Sequence, residues 1–175
     1  MERGKLVNKF RDINTIPKAH RQKYREQIGQ LEKTRNDLPK VRRLLANIPT
    51  YMIFDDHEIT DDWNITREWY ENVRASKCGK QAIANGLAAY WVFQGWGNNP
   101  ALYDYDFISK TIEYLGKNGN VSEAEKISYE ENLWNFHSWT FCAPTNPTAI
   151  VVDCRTLRYY DSFNGPHILL HLYLL

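Results

Sequence analysis

Five carboxylates and one imidazole fall within the run Asp55-Asp56-His57-Glu58-Ile59-Thr60-Asp61-Asp62. Asp and Glu offer hard oxygen donors to cations, and His adds a nitrogen donor that suits transition metals. Carboxylates packed this closely repel one another, so some must protonate, pair with arginine or bind a metal. The spacing therefore points to a site for a cation or a phosphate ester. The competing reading is a solvated turn in which Asp61 or Asp62 caps the following helix. Two familiar metal motifs are excluded. The window from Asp56 has Asp61 where an EF-hand loop needs glycine. His57-Glu58-Ile59-Thr60-Asp61 starts like a zincin helix, but Asp61 stands where the second histidine belongs.

These residues need elements to position them. Tyr24, Ile28 and Leu31 predict a helix over 19–35, with Pro17 near its start. Leu38, Val41, Leu44, Leu45 and Ile48 predict a second, short helix that begins near Pro39 and ends at Pro49. Thr50 to Phe54 then reads as a short buried strand ending in the acidic loop. Helix, buried strand and polar loop form the grammar of α/β folds, whose ligands sit beyond the carboxyl ends of strands. Helices are expected over 67–76, over 80–94 with Ile83, Leu87 and Tyr90 or Trp91 inward, and over 104–115. Ser122 and Glu125 predict a capping box opening a helix to about Glu131. Leu133 to Cys142 and Thr148 to Asp153 read as an antiparallel strand pair. The tail from Ile168 to Leu175 is apolar throughout, so His167 and His171, four apart, read as flanking an apolar segment rather than as a metal pair.

Composition bounds the rest. The chain has 175 residues, enough for one domain with a core, and its 43% hydrophobic fraction with six Trp, eleven Tyr and seven Phe argues against disorder. Net charge is +1, which gives no global attraction to nucleic acid. The charge is unevenly spread: residues 1–50 carry 13 Lys/Arg against 5 Asp/Glu, a net +8, and the remainder carries −7. This basic helical arm would either steer polyanions or form a solvated, Lys/Arg-laced face. Cys78, Cys142 and Cys154 lack metal-ligand spacing and are too few for a disulfide framework, which fits a reducing compartment. No apolar run approaches the roughly 20 residues of a membrane span, and no signal peptide is visible, so the expected location is cytoplasmic.

The run Pro49-Thr50-Tyr51-Met52-Ile53-Phe54-Asp55-Asp56-His57-Glu58, followed by Asp61-Asp62-Trp63-Asn64, resembles the PhoD-like phosphatases of the calcineurin-like metallophosphoesterase superfamily. Ile150-Val151-Val152-Asp153-Cys154-Arg155 resembles that family's strand ending in Asp-Thr-Arg, with Cys154 in the Thr place, and the run from Tyr160 to Pro166 also suits it. The resemblance covers residues 20–170. It implies an α/β fold, a partial metallophosphoesterase-like sheet sandwich with a helical insertion at 67–132. It implies a dinuclear centre of divalent or mixed metals (Ca, Fe, Zn or Mn) and a phosphate ester substrate. Asp56 would take the place of a ligand of the second metal, with the role of Asp55 open. His57 would contact the phosphate and act as general acid, while Glu58 would orient its ring. Asp61 and Asp62 would touch the substrate or support the metal ligands from behind. Asp153 and Arg155 would line the substrate entrance, or alternatively form a structural ion pair.

The family's other ligands come from an upstream Gly-Asp strand end and from downstream His motifs. This chain contains no Gly-Asp dipeptide and no Gly-His-x-His. The expectation is therefore the central part of a metallophosphatase domain, incomplete as an isolated chain. The alternative is a catalytically inactive remnant or interaction module of the same fold.

Overall fold

Aromatic side chains at helical spacing build the core that carries the acidic loop. The structure, a computed structural model, describes residues 12–117 and 120–160. The expectations for 161–166, for His167 and His171 and for the apolar tail lie outside these residues. The chain divides into two units, Met1–Thr50 and Tyr51–Leu175.

In the first unit, short 3-10 turns at Ile13–Thr15 and Lys18–His20 lead into helix α1, Arg21–Leu45. The sequence predicts two helices here, but the structure has one, with Pro39 inside it. A proline in a helix removes one backbone hydrogen bond. Arg35 and Pro39 are both exposed, so the carbonyl left without that bond can be hydrated. No residue of α1 is buried.

The second unit holds α2 (Arg67–Ala75), α3 (Lys77–Tyr90), the single turn α4 (Trp96–Asn98), α5 (Tyr105–Gly116), α6 (Glu123–Trp134), β1 (Phe141–Ala143) and β2 (Ala149–Val151). Side chains start these helices as the sequence requires. Thr66 accepts from the Trp69 N–H, Ser76 from Gly79 and Asp104 from Phe107. The Ser122–Glu125 capping box is formed in full, and the carboxyl of Glu125 is held down to about 2, chiefly by Lys117 and then by Ser122. Helix α3 runs into a π-helical turn, Trp91–Gly95, so both Tyr90 and Trp91 are buried beside Ile83 and Leu87.

The strands differ from expectation. Among the described residues the sheet is one antiparallel pair, Phe141–Ala143 with Ala149–Val151, in the register Cys142↔Ile150. Leu133 and Trp134 belong to α6 rather than to a strand. Tyr129, Glu130, Leu133 and Trp134 recur at helical spacing and all are buried. Thr50 to Phe54 forms no regular element and joins no ladder among the described residues. Side chains replace the ladder there: the Met52 carbonyl accepts from the Tyr90 hydroxyl at 3.0 Å and from Asn98 Nδ2 at 2.8 Å.

Phe54 ends this segment in an aromatic cage. Its ring lies 5.0 Å from Trp63, 4.8 Å from Tyr90 and 5.7 Å from Trp139, each edge to face. Such pairs add about 0.5–1.5 kcal/mol each beyond area burial. The cage fixes where the chain leaves the core, and the acidic loop begins at the next residue.

Candidate functional site

The loop leaves the core at Phe54 and returns at Trp63, with both side chains 2% exposed. Between these anchors the backbone bends back, and the Trp63 N–H donates to the Asp56 carbonyl at 3.0 Å. Asp62 and Asn64 take positive φ, 54° and 58°. Asp and Asn tolerate this left-handed region better than other side-chain-bearing residues, so the turn suits its sequence.

One donor atom each from Asp55, Asp56 and His57 lies within 4.8 Å of the others. The Asp55 carboxylate accepts from the His57 N–H at 2.6 Å, and its carboxyl is held below the ordinary value mainly by that bond, then by Glu58. His57 Nδ1 is 3.5 Å from Asp56 Oδ1 and 3.8 Å from Asp55 Oδ1, while Nε2 is 3.1 Å from Asp61 Oδ1. His57 is thus surrounded by carboxylates on both ring nitrogens. Most of these groups are exposed, so water screens the attractions. Two carboxylates and an imidazole form a donor set that suits a divalent cation.

Glu58 sits elsewhere than expected. Its carboxylate takes the Asp55 backbone N–H, and Asp61, not Glu58, faces the His57 ring. Neither Asp61 nor Asp62 caps α2, since Thr66 does so. Asp62 is exposed and holds the turn through its carbonyl, which accepts from the Ile65 N–H at 3.2 Å.

Arg155 reaches the loop from the segment after β2. Its Nη2 donates to Asp56 Oδ1 at 2.8 Å, with side chains only 11% and 21% exposed. Asp153 forms no ion pair with Arg155. It is 1% exposed and accepts from the backbone N–H groups of Arg155 and Thr156, at 2.8 and 2.9 Å, and from the Thr156 hydroxyl. Burial nevertheless raises its carboxyl above the ordinary value, against these bonds and the nearby His137. Asp153 therefore organises the turn that aims Arg155 and does not line an entrance.

Asn64, Arg158 and Tyr160 complete the arrangement. Asn64 Nδ2 donates to the Arg155 carbonyl at 2.6 Å. Its own carbonyl accepts from Arg158 Nη1 at 3.2 Å and from the Tyr160 hydroxyl at 2.8 Å. Asn64 is 4% exposed, and its buried polar groups are satisfied by these partners rather than by water.

Cavities adjoin α3 on more than one side. One of about 220 Å³ is lined by Phe54, Glu58, Ile59, Gly86, Tyr90 and Phe93 among others, so it opens beside the acidic loop. A groove of about 660 Å³ has Gln81, Asn85, Val92, Phe93, Tyr114 and Tyr129 in its wall, and among the described residues no carboxylate, imidazole or basic group lines it. Its size gives contact area but no chemistry, and the acidic loop is the better site. Cys78, Cys142 and Cys154 are free thiols. No helix among the described residues is long and apolar enough to cross a membrane. Comparisons with protein-family models, with curated proteins and with solved structures give no match to this chain.

Proposed function

We propose that the chain is the central part of a metal-dependent phosphoric ester hydrolase of the PhoD-like type, within an α/β metallophosphoesterase-like sandwich. The observation that supports this most is the convergence of Asp55, Asp56 and His57 donor atoms within 4.8 Å, inside the motif that carries the resemblance. Asp56, with Asp55, would hold a divalent cation of the Ca, Fe, Zn or Mn class. A bound metal pair supplies positive charge to clamp a phosphoryl group and an acidified water. The chain's own residues supply the rest. His57 Nε2 lies 3.1 Å from Asp61 Oδ1 and would be the atom to hand a proton to a departing alkoxide. Arg155 offsets the charge of Asp56 and stands ready beside an anionic ester. The cavity of about 220 Å³ next to Glu58 offers the ester's organic group an apolar seat.

Three ligands make one corner of a dinuclear centre, so turnover by this chain alone would be slow. A second reading, an inactive remnant or interaction module, draws on the Asp56–Arg155 pair, which neutralises the corner without any cation. Titration with Ca²⁺, Mn²⁺ and Zn²⁺, followed by assays with p-nitrophenyl phosphate and its bis ester, separates the two. Cation binding and turnover, both lost in Asp56→Ala, support the hydrolase. Binding without turnover supports the remnant, and no saturable binding at all removes the metal site.

A further inference from the structure

We propose that the cavity enclosed by α2, α3 and α6 on the inner side of Asn64 is a binding site for a small planar carboxylate. Its volume is about 190 Å³, room for about six waters at the share each takes in the liquid. The proposal does not depend on the phosphoester reading and uses none of its proposed ligands.

The walls select a flat ligand. Trp63, Tyr70 and Trp134 line the cavity, with Ile83 and Leu87 as its apolar floor. The Tyr70 and Trp134 rings meet edge to face at 6.0 Å, which leaves planar surface rather than a filled stack. Arg74 supplies the charge. Its Cζ lies 5.7 Å from the Tyr70 ring centre and 5.4 Å from that of Trp134, so the guanidinium is held against two aromatic faces. Its Nη1 donates to the Tyr70 hydroxyl at 2.6 Å, which fixes the plane of the fork.

That charge is partly met by one carboxylate, at the long end of an ion pair. The nearest carboxylate, Glu131, is 3.5 Å from Arg74 Nη2, but it receives Lys80 Nζ at 2.9 Å and Asn135 Nδ2 at 3.0 Å. Glu131 is thus shared between Arg74 and the closer Lys80, and the Arg74 guanidinium stands in the cavity wall with its charge only partly offset. His137, Asn135 and Thr156 bring further polar groups to the same space. A fixed guanidinium beside aromatic planes matches a carboxylate on a flat apolar body better than it matches a compact phosphate.

The test is calorimetric titration of the full chain with benzoate and with benzamide, its neutral isostere. Saturable one-site benzoate binding, at least tenfold tighter than benzamide, is the expected result. Arg74→Gln, checked for folding by near-UV circular dichroism, should weaken benzoate at least tenfold and leave benzamide unchanged. Absence of saturable benzoate binding overturns the proposal, as does equal affinity for the two compounds. The ligand comparison on the unaltered chain decides the matter even where Arg74→Gln fails to fold. Inorganic phosphate binding more tightly than benzoate would likewise overturn the choice of a planar carboxylate.

Discussion

Arg155 and Asp56, 99 residues apart in sequence, meet through a single charge-assisted hydrogen bond of 2.8 Å, and that bond sets how much negative charge the acidic corner offers a cation. Both side chains are largely shielded from water, so the guanidinium would compete directly with any divalent cation for the Asp56 carboxylate.

Arg155→Met should therefore move two observables in opposite directions. Stability should fall by about 2 kcal/mol, because a partly buried carboxylate loses its partner. Divalent cation affinity should rise about tenfold, because the freed oxygen gains charge to share. Urea unfolding and metal titration read these separately. A variant that loses both stability and cation affinity would show that Arg155 builds the corner rather than competes for it.

Asn64 carries a backbone demand and a side-chain demand, and substitutions can separate them. Glycine meets the positive φ of 58° but forfeits the bond to the Arg155 carbonyl, whereas alanine forfeits both. Asn64→Gly should cost about 1–3 kcal/mol for the lost buried bonds. Asn64→Ala should cost roughly 1 kcal/mol more for the left-handed backbone. Equal unfolding midpoints for the two variants would contradict that division.

Asp153 makes a signed prediction about pH. Burial raises its carboxyl in the folded chain above the ordinary value of 3.8, so the folded state binds the proton more readily than the unfolded one. Its contribution is then most favourable below the ordinary value and is lost as pH rises through the raised one. Asp153→Asn keeps an acceptor for the Arg155 and Thr156 N–H groups without the charge, so it should match or exceed the parent at pH 7. That advantage should vanish on acidification. Asp153→Ala strands those donors and should cost about 1–3 kcal/mol. Unfolding midpoints at several pH values check both.

What the sequence makes legible follows the range of the interactions. The caps at Ser122 and Asp104 close within three residues, and their side chains alone announce them. The acidic loop is equally plain, because its donors are neighbours along the chain. The bonds that aim the site are not. Asn64 meets Arg155, Arg158 and Tyr160 across 91 to 96 residues, and no local pattern encodes such pairings. The segment before Phe54 shows the converse error. Its β-prone residues promise a strand, but Tyr90 and Asn98 satisfy the Met52 carbonyl, and aromatic packing buries Phe54 without a ladder. Residues at 133–134 fit two periods, and the helix that begins at the Ser122 cap claims them.

Two helical glycines should respond to alanine with opposite signs. Gly29 in α1 has nothing within 4 Å of an added Cβ, so Gly29→Ala should stabilise its helix by about 0.5–1 kcal/mol. Gly86 in α3 lies against Ile59 of the acidic loop. An added Cβ would come within 2.5 Å of both Ile59 Cδ1 and Cγ1 and within 3.1 Å of Cγ2. Turning the tip of Ile59 clears Cδ1 but not the branch, so the loop backbone must shift. Overpacking of this kind costs roughly 1–3 kcal/mol, which outweighs the helix preference of alanine. Because Ile59 follows Glu58 directly, the same shift should disturb the donors at Asp55 to His57. Gly86→Ala should therefore lower both the urea midpoint and the cation affinity. A stabilised Gly86→Ala chain with unchanged cation binding would mean that α3 does not hold the acidic loop in place.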